Sequence, residues 1–168
     1  MTDPVLDQAA DPAAPCTVWN NPWHFLAFGC GSGTLPKAPG TWGSLMALPF
    51  LPLLQLLPTW GYGVMLVVTS LFGFWLCGRV ARDLGVHDHE GIVWDEMVGM
   101  WITLWMVPAG WYWLVLGFLI FRVLDILKPW PISWLDKNVH GGVGIMIDDV
   151  LAGVFAWLAL QAIVIAVA

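Results

Sequence analysis

Between Lys37 and Arg79 the chain carries no charged residue, and the same holds from Met97 to Phe121 and from Val150 to Ala168. Apolar runs of this length fit a bilayer: about 20 apolar helical residues cross its ~30 Å hydrocarbon core. A helix satisfies its own backbone polar groups there. With 59% hydrophobic and 11% charged residues and a mean hydropathy of +0.76, the chain lies outside the usual range of soluble domains. The expected fold is all-α, a multi-pass membrane helical bundle of about four to five spans. Those spans would consume nearly all of the 168 residues, leaving room for a single domain over residues 20–168. Residues 1–19, with Asp3, Asp7 and Asp11 among Pro and Ala, read as a disordered acidic tail without the basic start or apolar stretch of a signal peptide.

Proline and glycine punctuation divides the runs into Ser44 to Leu57, Trp60 to Gly78, Gly91 to Val107, Gly110 to Leu127 and Asp149 to Val167. The first is short and interrupted by Pro49 and Pro52, so it spans, tilts or re-enters. Pro108-Ala109-Gly110 predicts a hairpin between the third and fourth. This arrangement puts Lys37, Arg79, Arg82, Arg122, Lys128 and Lys137 on one side, which the positive-inside rule makes cytoplasmic, with the N-terminus inside and the C-terminus outside. The 13 Trp read as interfacial anchors and packing.

The net charge of −6 and six scattered basic residues argue against nucleic acid as a partner. Cys16, Cys30 and Cys77 form no CxxC pair, and no Arg stands six positions after any of them, which removes thiolate zinc and thiol-phosphatase chemistry.

The same topology gathers Asp88 and Glu90, Asp95 and Glu96, Asp125, and Asp148 and Asp149 at the mouths of three spans, on the basic side. Carboxylates at membrane depth are costly and face a bundle interior or an aqueous cavity, so their convergence suggests a cation site. Ligands that are all oxygen select a hard ion, Mg²⁺ before a softer one. Helical phase agrees: Asp149 shares a face with Ala152, Gly153 and Ala156, and Glu96 with Gly99 and Thr103, small residues along which helices approach. The competing reading for Asp148-Asp149 is charge satisfying free N–H groups at a helix start. Arg122, Asp125 and Lys128, at i, i+3 and i+6, read either as an ordinary intrahelical ion pair or as a metal ligand flanked by cations that clamp a phosphate. Gly29 to Ser44, with Ser32 and Lys37, reads as a turn at the membrane surface or as a phosphate cradle, although it is not a P-loop. His87-Asp88-His89 is either an acid/base or metal motif or a solvated loop.

Asn21-Pro22-Trp23-His24, Gly31-Ser32-Gly33 with Pro39-Gly40-Thr41-Trp42-Gly43-Ser44, Val86-His87-Asp88-His89 with Ile92-Val93-Trp94-Asp95-Glu96, Asp125 to Ile132, and Gly141 to Asp149 together resemble the bacterial phosphatidylglycerophosphatase A family, in the family's order, from about Asn20 to the end. The resemblance implies a multi-pass inner-membrane enzyme that hydrolyses phosphatidylglycerophosphate to phosphatidylglycerol and inorganic phosphate and requires Mg²⁺.

The mechanism expected from residues and resemblance together is metal-assisted attack of water. Asp95, Glu96, Asp125, Asp148 and Asp149 are the candidate ligands. Lys128, with Lys37, Arg122 or Ser32, would bind phosphate, and His87 or His89 would protonate the leaving group. An aspartyl-phosphate route stays open. The rival class is a Mg²⁺ or proton channel or carrier, which calls for acids staggered through the membrane depth. The Asp-Gly-x₂-Ala-Arg pattern of CDP-alcohol phosphotransferases is missing.

Overall fold

The computed structural model describes residues 18–86 and 89–167. The tail over residues 1–17 and the pair His87 and Asp88 therefore lie outside the described residues. Within them every regular element is helical. The packed part already includes Val18, fully buried, and Trp19, whose ring lies against Phe25.

Helix α1 (Pro22–Ala27) starts on Asn21, whose side-chain oxygen accepts the Trp23 N–H at 3.0 Å, with Pro22 where a missing N–H costs nothing. A 3-10 turn at Ser32–Thr34 leads to α2 (Pro39–Ala47), a second 3-10 turn at Leu48–Phe50, and α3 (Leu51–Gln55). The stretch Ser44 to Leu57 is thus not one helix, because Pro49 and Pro52 each remove an N–H and crowd the preceding turn. It still runs along the bundle. Gly40 abuts Glu96, the Ala47 carbonyl accepts Trp101 Nε1–H at 2.9 Å, and the Thr59 carbonyl accepts Trp105 Nε1–H at 3.4 Å.

Helices α4 (Thr59–Asp83), α5 (Trp94–Thr103), α6 (Trp111–Leu127), α7 (Ile132–Asn138) and α8 (Gly141–Val167) follow. Two of them, α4 and α8, are long and apolar enough to cross a membrane. Only 22% of the most apolar window of α8, and 44% of that of α4, is buried within the protein. The rest of each window is partly or fully exposed, unlike the mostly buried core helix of a soluble protein. Helix α6 is about 25 Å long and α5 about 15 Å. The short α5 is nonetheless the axis of the fold, packed against α2, α4, α6 and α8, with every residue from Met97 to Thr103 buried. Met106 and Gly110, both at positive φ, turn the chain around Pro108 into α6, the hairpin the sequence predicts.

Helix α8 reaches its neighbours through glycine. A Cβ on Gly142 would lie 2.2 Å from the Phe74 carbonyl oxygen and 2.6 Å from the Gly78 backbone, and one on Gly153 would lie 2.6 Å from the Gly99 carbonyl oxygen. Since backbone cannot swing aside, Gly142→Ala is expected to destabilise the protein by about 1–3 kcal/mol. Denaturant unfolding in detergent would register this as a lower midpoint, and an unchanged midpoint would mean that α4 and α8 do not touch there.

Candidate functional site

Three helices bring five acids together. Asp95 and Glu96 occupy the first turn of α5, Asp125 the last turn of α6, and Asp148 and Asp149 a position two turns into α8. One oxygen each from Asp95, Glu96 and Asp149 can lie within 4.8 Å of the others. Asp95 with Glu96, and Asp125 with Asp149, are within side-chain hydrogen-bond reach. Asp95, Asp148 and Asp149 are buried, and so are Ala152, Gly153 and Ala156 on the Asp149 face and Gly99 and Thr103 on the Glu96 face. The inward phase read from the sequence is therefore the observed one.

The helix-start reading of Asp148-Asp149 is overturned. Helix α8 begins at Gly141, not Asp149, and free N–H groups belong to the first turn alone. These acids are committed to the interior.

A cavity of about 200 Å³ opens onto the cluster and is lined by Asp95, Glu96, Asp125, Lys128, Asp136, Asp148, Asp149 and His89 among others. Pockets that enclose a drug-sized ligand measure roughly 300–1,000 Å³, so this one suits a small polar group rather than a whole lipid. Lys128 follows α6 in a left-handed conformation (φ 43°) and donates from Nζ to Asp148 Oδ2 at 2.6 Å and to Asp136 Oδ1 at 2.5 Å. Partial burial pulls the Lys128 pKa down, but the hydrogen bonds and charges of Asp136 and Asp148 outweigh it and the net shift is upward. Lys128 is a fixed cation at neutral pH. His89 Nδ1 accepts the Gly91 N–H at 3.0 Å, so a neutral ring carries its proton on Nε2.

Other sequence candidates stand apart from the cavity. Arg122 Nη1 donates to Asp125 Oδ2 at 2.5 Å, and a Cβ on Gly40 would meet the same nitrogen at 3.2 Å. Arg122 thus sits behind Asp125, and neither partner is solvated as a surface pair would be, at 14% and 13% exposure. Ser32 and Lys37 do not line the cavity either. Lys37 lies exposed before α2, where its carbonyl accepts Trp42 Nε1–H, and Ser32 Oγ is buried near Gly29. The glycines near them serve close packing. A Cβ on Gly33 would lie 2.0 Å from the Gly91 carbonyl oxygen. His87 lies outside the described residues. The sequence reading missed Asp136. Its signal was Pro129 and Pro131, which cannot continue α6 and so turn the next short helix back over Lys128.

The donor set fits a hard cation. It is all oxygen, and Glu96 Oε2 is buried without a hydrogen-bond partner, an acceptor that a metal ion would satisfy. Asp95, Glu96 and Asp149 form one compact cluster, not the staggered series of acids that the channel reading expects.

Fold and cavity together define an all-helical protein with an apolar outer surface and a buried acidic site guarded by one lysine. The phosphatidylglycerophosphatase A family profile matches residues 25–164. The chain is 52% identical over 153 residues to phosphatidylglycerophosphatase A of Escherichia coli K12, covering 90% of this chain and 89% of that protein. It is 48% identical over 148 residues to the Haemophilus influenzae protein of the same name, covering 85% and 89%. A Bacteroides thetaiotaomicron protein with the provisional name phosphatidylinositol-3-phosphatase is 42% identical over 141 residues, covering 79% and 87%. The chain belongs to the phosphatidylglycerophosphatase A family and is a phosphatase. No solved structure matches it.

Proposed function

We propose that this protein hydrolyses phosphatidylglycerophosphate with water to phosphatidylglycerol and inorganic phosphate, with Mg²⁺ held by Asp95, Glu96, Asp125, Asp148 and Asp149. The observation that carries the reading is the mutual approach of Asp95, Glu96 and Asp149 in a family whose named members are phosphatidylglycerophosphatases. When bound, Mg²⁺ supplies positive charge to the phosphate and makes a water acidic enough to attack at neutral pH. Lys128 holds a phosphate oxygen at the cavity mouth and stabilises the charge that develops on it. Arg122 orients Asp125 from behind. His89, with Nδ1 accepting the Gly91 N–H, offers Nε2–H as a hydrogen bond to the departing glycerol oxygen, and the proton that oxygen takes comes from an imidazolium, either His87 or His89 once its Nδ1 is released and protonated.

The bilayer setting belongs to the same proposal. Residues 20–168 form one integral membrane unit in which α2 with α3, α5 and α6 complete the crossings begun by α4 and α8, in the bacterial inner membrane, with the site on the cytoplasmic face. Exposed Trp60 and Trp111 at the starts of α4 and α6, and Trp130 and Trp134 past the end of α6, support two interfacial belts about 25 Å apart. Asp125, in the last turn of α6, then lies at headgroup depth, where a lipid's terminal phosphate can enter a cavity too small for the rest of it.

The test is phosphate release by detergent-purified protein from phosphatidylglycerophosphate, phosphatidylinositol 3-phosphate and phosphatidic acid, each with Mg²⁺ and with chelator. Release that favours the first substrate and stops with chelator is expected. Release favouring phosphatidylinositol 3-phosphate would transfer the assignment to the substrate named for the Bacteroides relative.

A further inference from the structure

We infer that Asp136 is a positioning residue for phosphate recognition, holding Lys128 at the cavity mouth so that its ammonium meets the substrate and is not drawn into the acidic cluster. The inference rests on the proposed phosphatase reading. An ammonium has three N–H donors. In Lys128 one is directed to Asp148 Oδ2 at 2.6 Å and one to Asp136 Oδ1, while the third remains for a ligand in the cavity both acids line. The two acids differ in setting. Asp148 is 10% exposed and belongs to α8 beside the candidate metal ligands, whereas Asp136 is 41% exposed and belongs to the short α7 at the rim. Asp148 pulls inward and Asp136 outward, and Lys128 Nζ rests between them.

Without Asp136 the ammonium has one anionic partner and closes on Asp148, where it neutralises a carboxylate instead of a phosphate oxygen. The third donor then no longer faces the incoming phosphate. Because Asp136 lies at the rim and is substantially exposed, its amide replacement leaves the packing of α7 on α8 in place.

The experiment is a double-mutant cycle on phosphate release from phosphatidylglycerophosphate, with Asp136→Asn, Lys128→Gln and the double variant. Asp136→Asn is expected to raise KM about tenfold with a smaller change in kcat, the scale of one charge-assisted hydrogen bond. In the Lys128→Gln background it is expected to add nothing, and Asp136→Glu should recover most of the loss. Additive effects in the cycle, or a fall in kcat at unchanged KM, would overturn the inference, since Asp136 would then act independently of Lys128. A properly folded wild type that releases no phosphate from this lipid overturns the functional reading itself, a result distinguishable from either.

Discussion

Asp149→Asn is expected to lower kcat/KM for phosphate release by about 10²–10³-fold while leaving the protein folded. Asp149 is 4% exposed, reaches both the Asp95–Glu96 pair and Asp125, and sits above the small-residue stripe that lets α8 contact α5. Asparagine keeps the shape and removes one negative charge from a crowd of carboxylates that repel one another. The variant without Mg²⁺ should therefore resist denaturation at least as well as the wild type, so lost activity cannot be ascribed to unfolding. Its stabilisation by added Mg²⁺ should shrink, because a ligand that binds the folded state stabilises it in proportion to affinity. The two readouts move in opposite directions, which a purely structural Asp149 would not produce. Wild-type phosphate release together with wild-type stabilisation by Mg²⁺ would remove Asp149 from the ligand set.

How far the site could be read from the sequence depended on which physical rule placed each residue. Asp149 and Glu96 were legible because their orientation follows from the 3.6-residue period: small residues on the same face mark the side where another helix approaches. The hairpin at Pro108-Ala109-Gly110 was legible for an equally local reason. The start of α8 was not. Gly141-Gly142-Val143-Gly144 reads as a loop, since each glycine costs a helix about 1 kcal/mol, yet the close approach of Gly142 to Gly78 is a contact that only glycine allows, and packing overrides propensity. Asp136 escaped notice because its partner Lys128 is eight positions away across Pro129 and Pro131, where one helix ends before the next begins, so no helical phase relates the two. The glycine-rich stretch was legible as a demand for close backbone approach, but not for what. A phosphate and the side of α5 make the same demand on sequence, and the structure supplies α5.

That distinction makes Gly40→Ala the most informative change outside the acids. Gly40 lies in the first turn of α2, and an alanine there adopts the same backbone and gains up to about 1 kcal/mol of helix propensity. Its Cβ, however, would stand 2.2 Å from Glu96 Oε1 and 3.2 Å from Arg122 Nη1. The nearest obstacle is the end of a side chain, so the carboxylate yields and the helix does not. Global stability should hardly change, while Glu96 shifts by the order of an ångström within a cluster whose value lies in its geometry. Displacements of that size cost about 10²-fold in rate, and the Mg²⁺ concentration giving half-maximal activity should rise with the loss. A loop that cradled phosphate through Lys37 would respond differently: Lys37→Ala would be the damaging change and Gly40→Ala the mild one. The expected order is the reverse, with Lys37→Ala within a few-fold of wild type, because Lys37 is exposed and away from the cavity. Equal activity and Mg²⁺ requirement in Gly40→Ala and wild type would mean that Glu96 can move freely, and a carboxylate that moves freely is not a ligand.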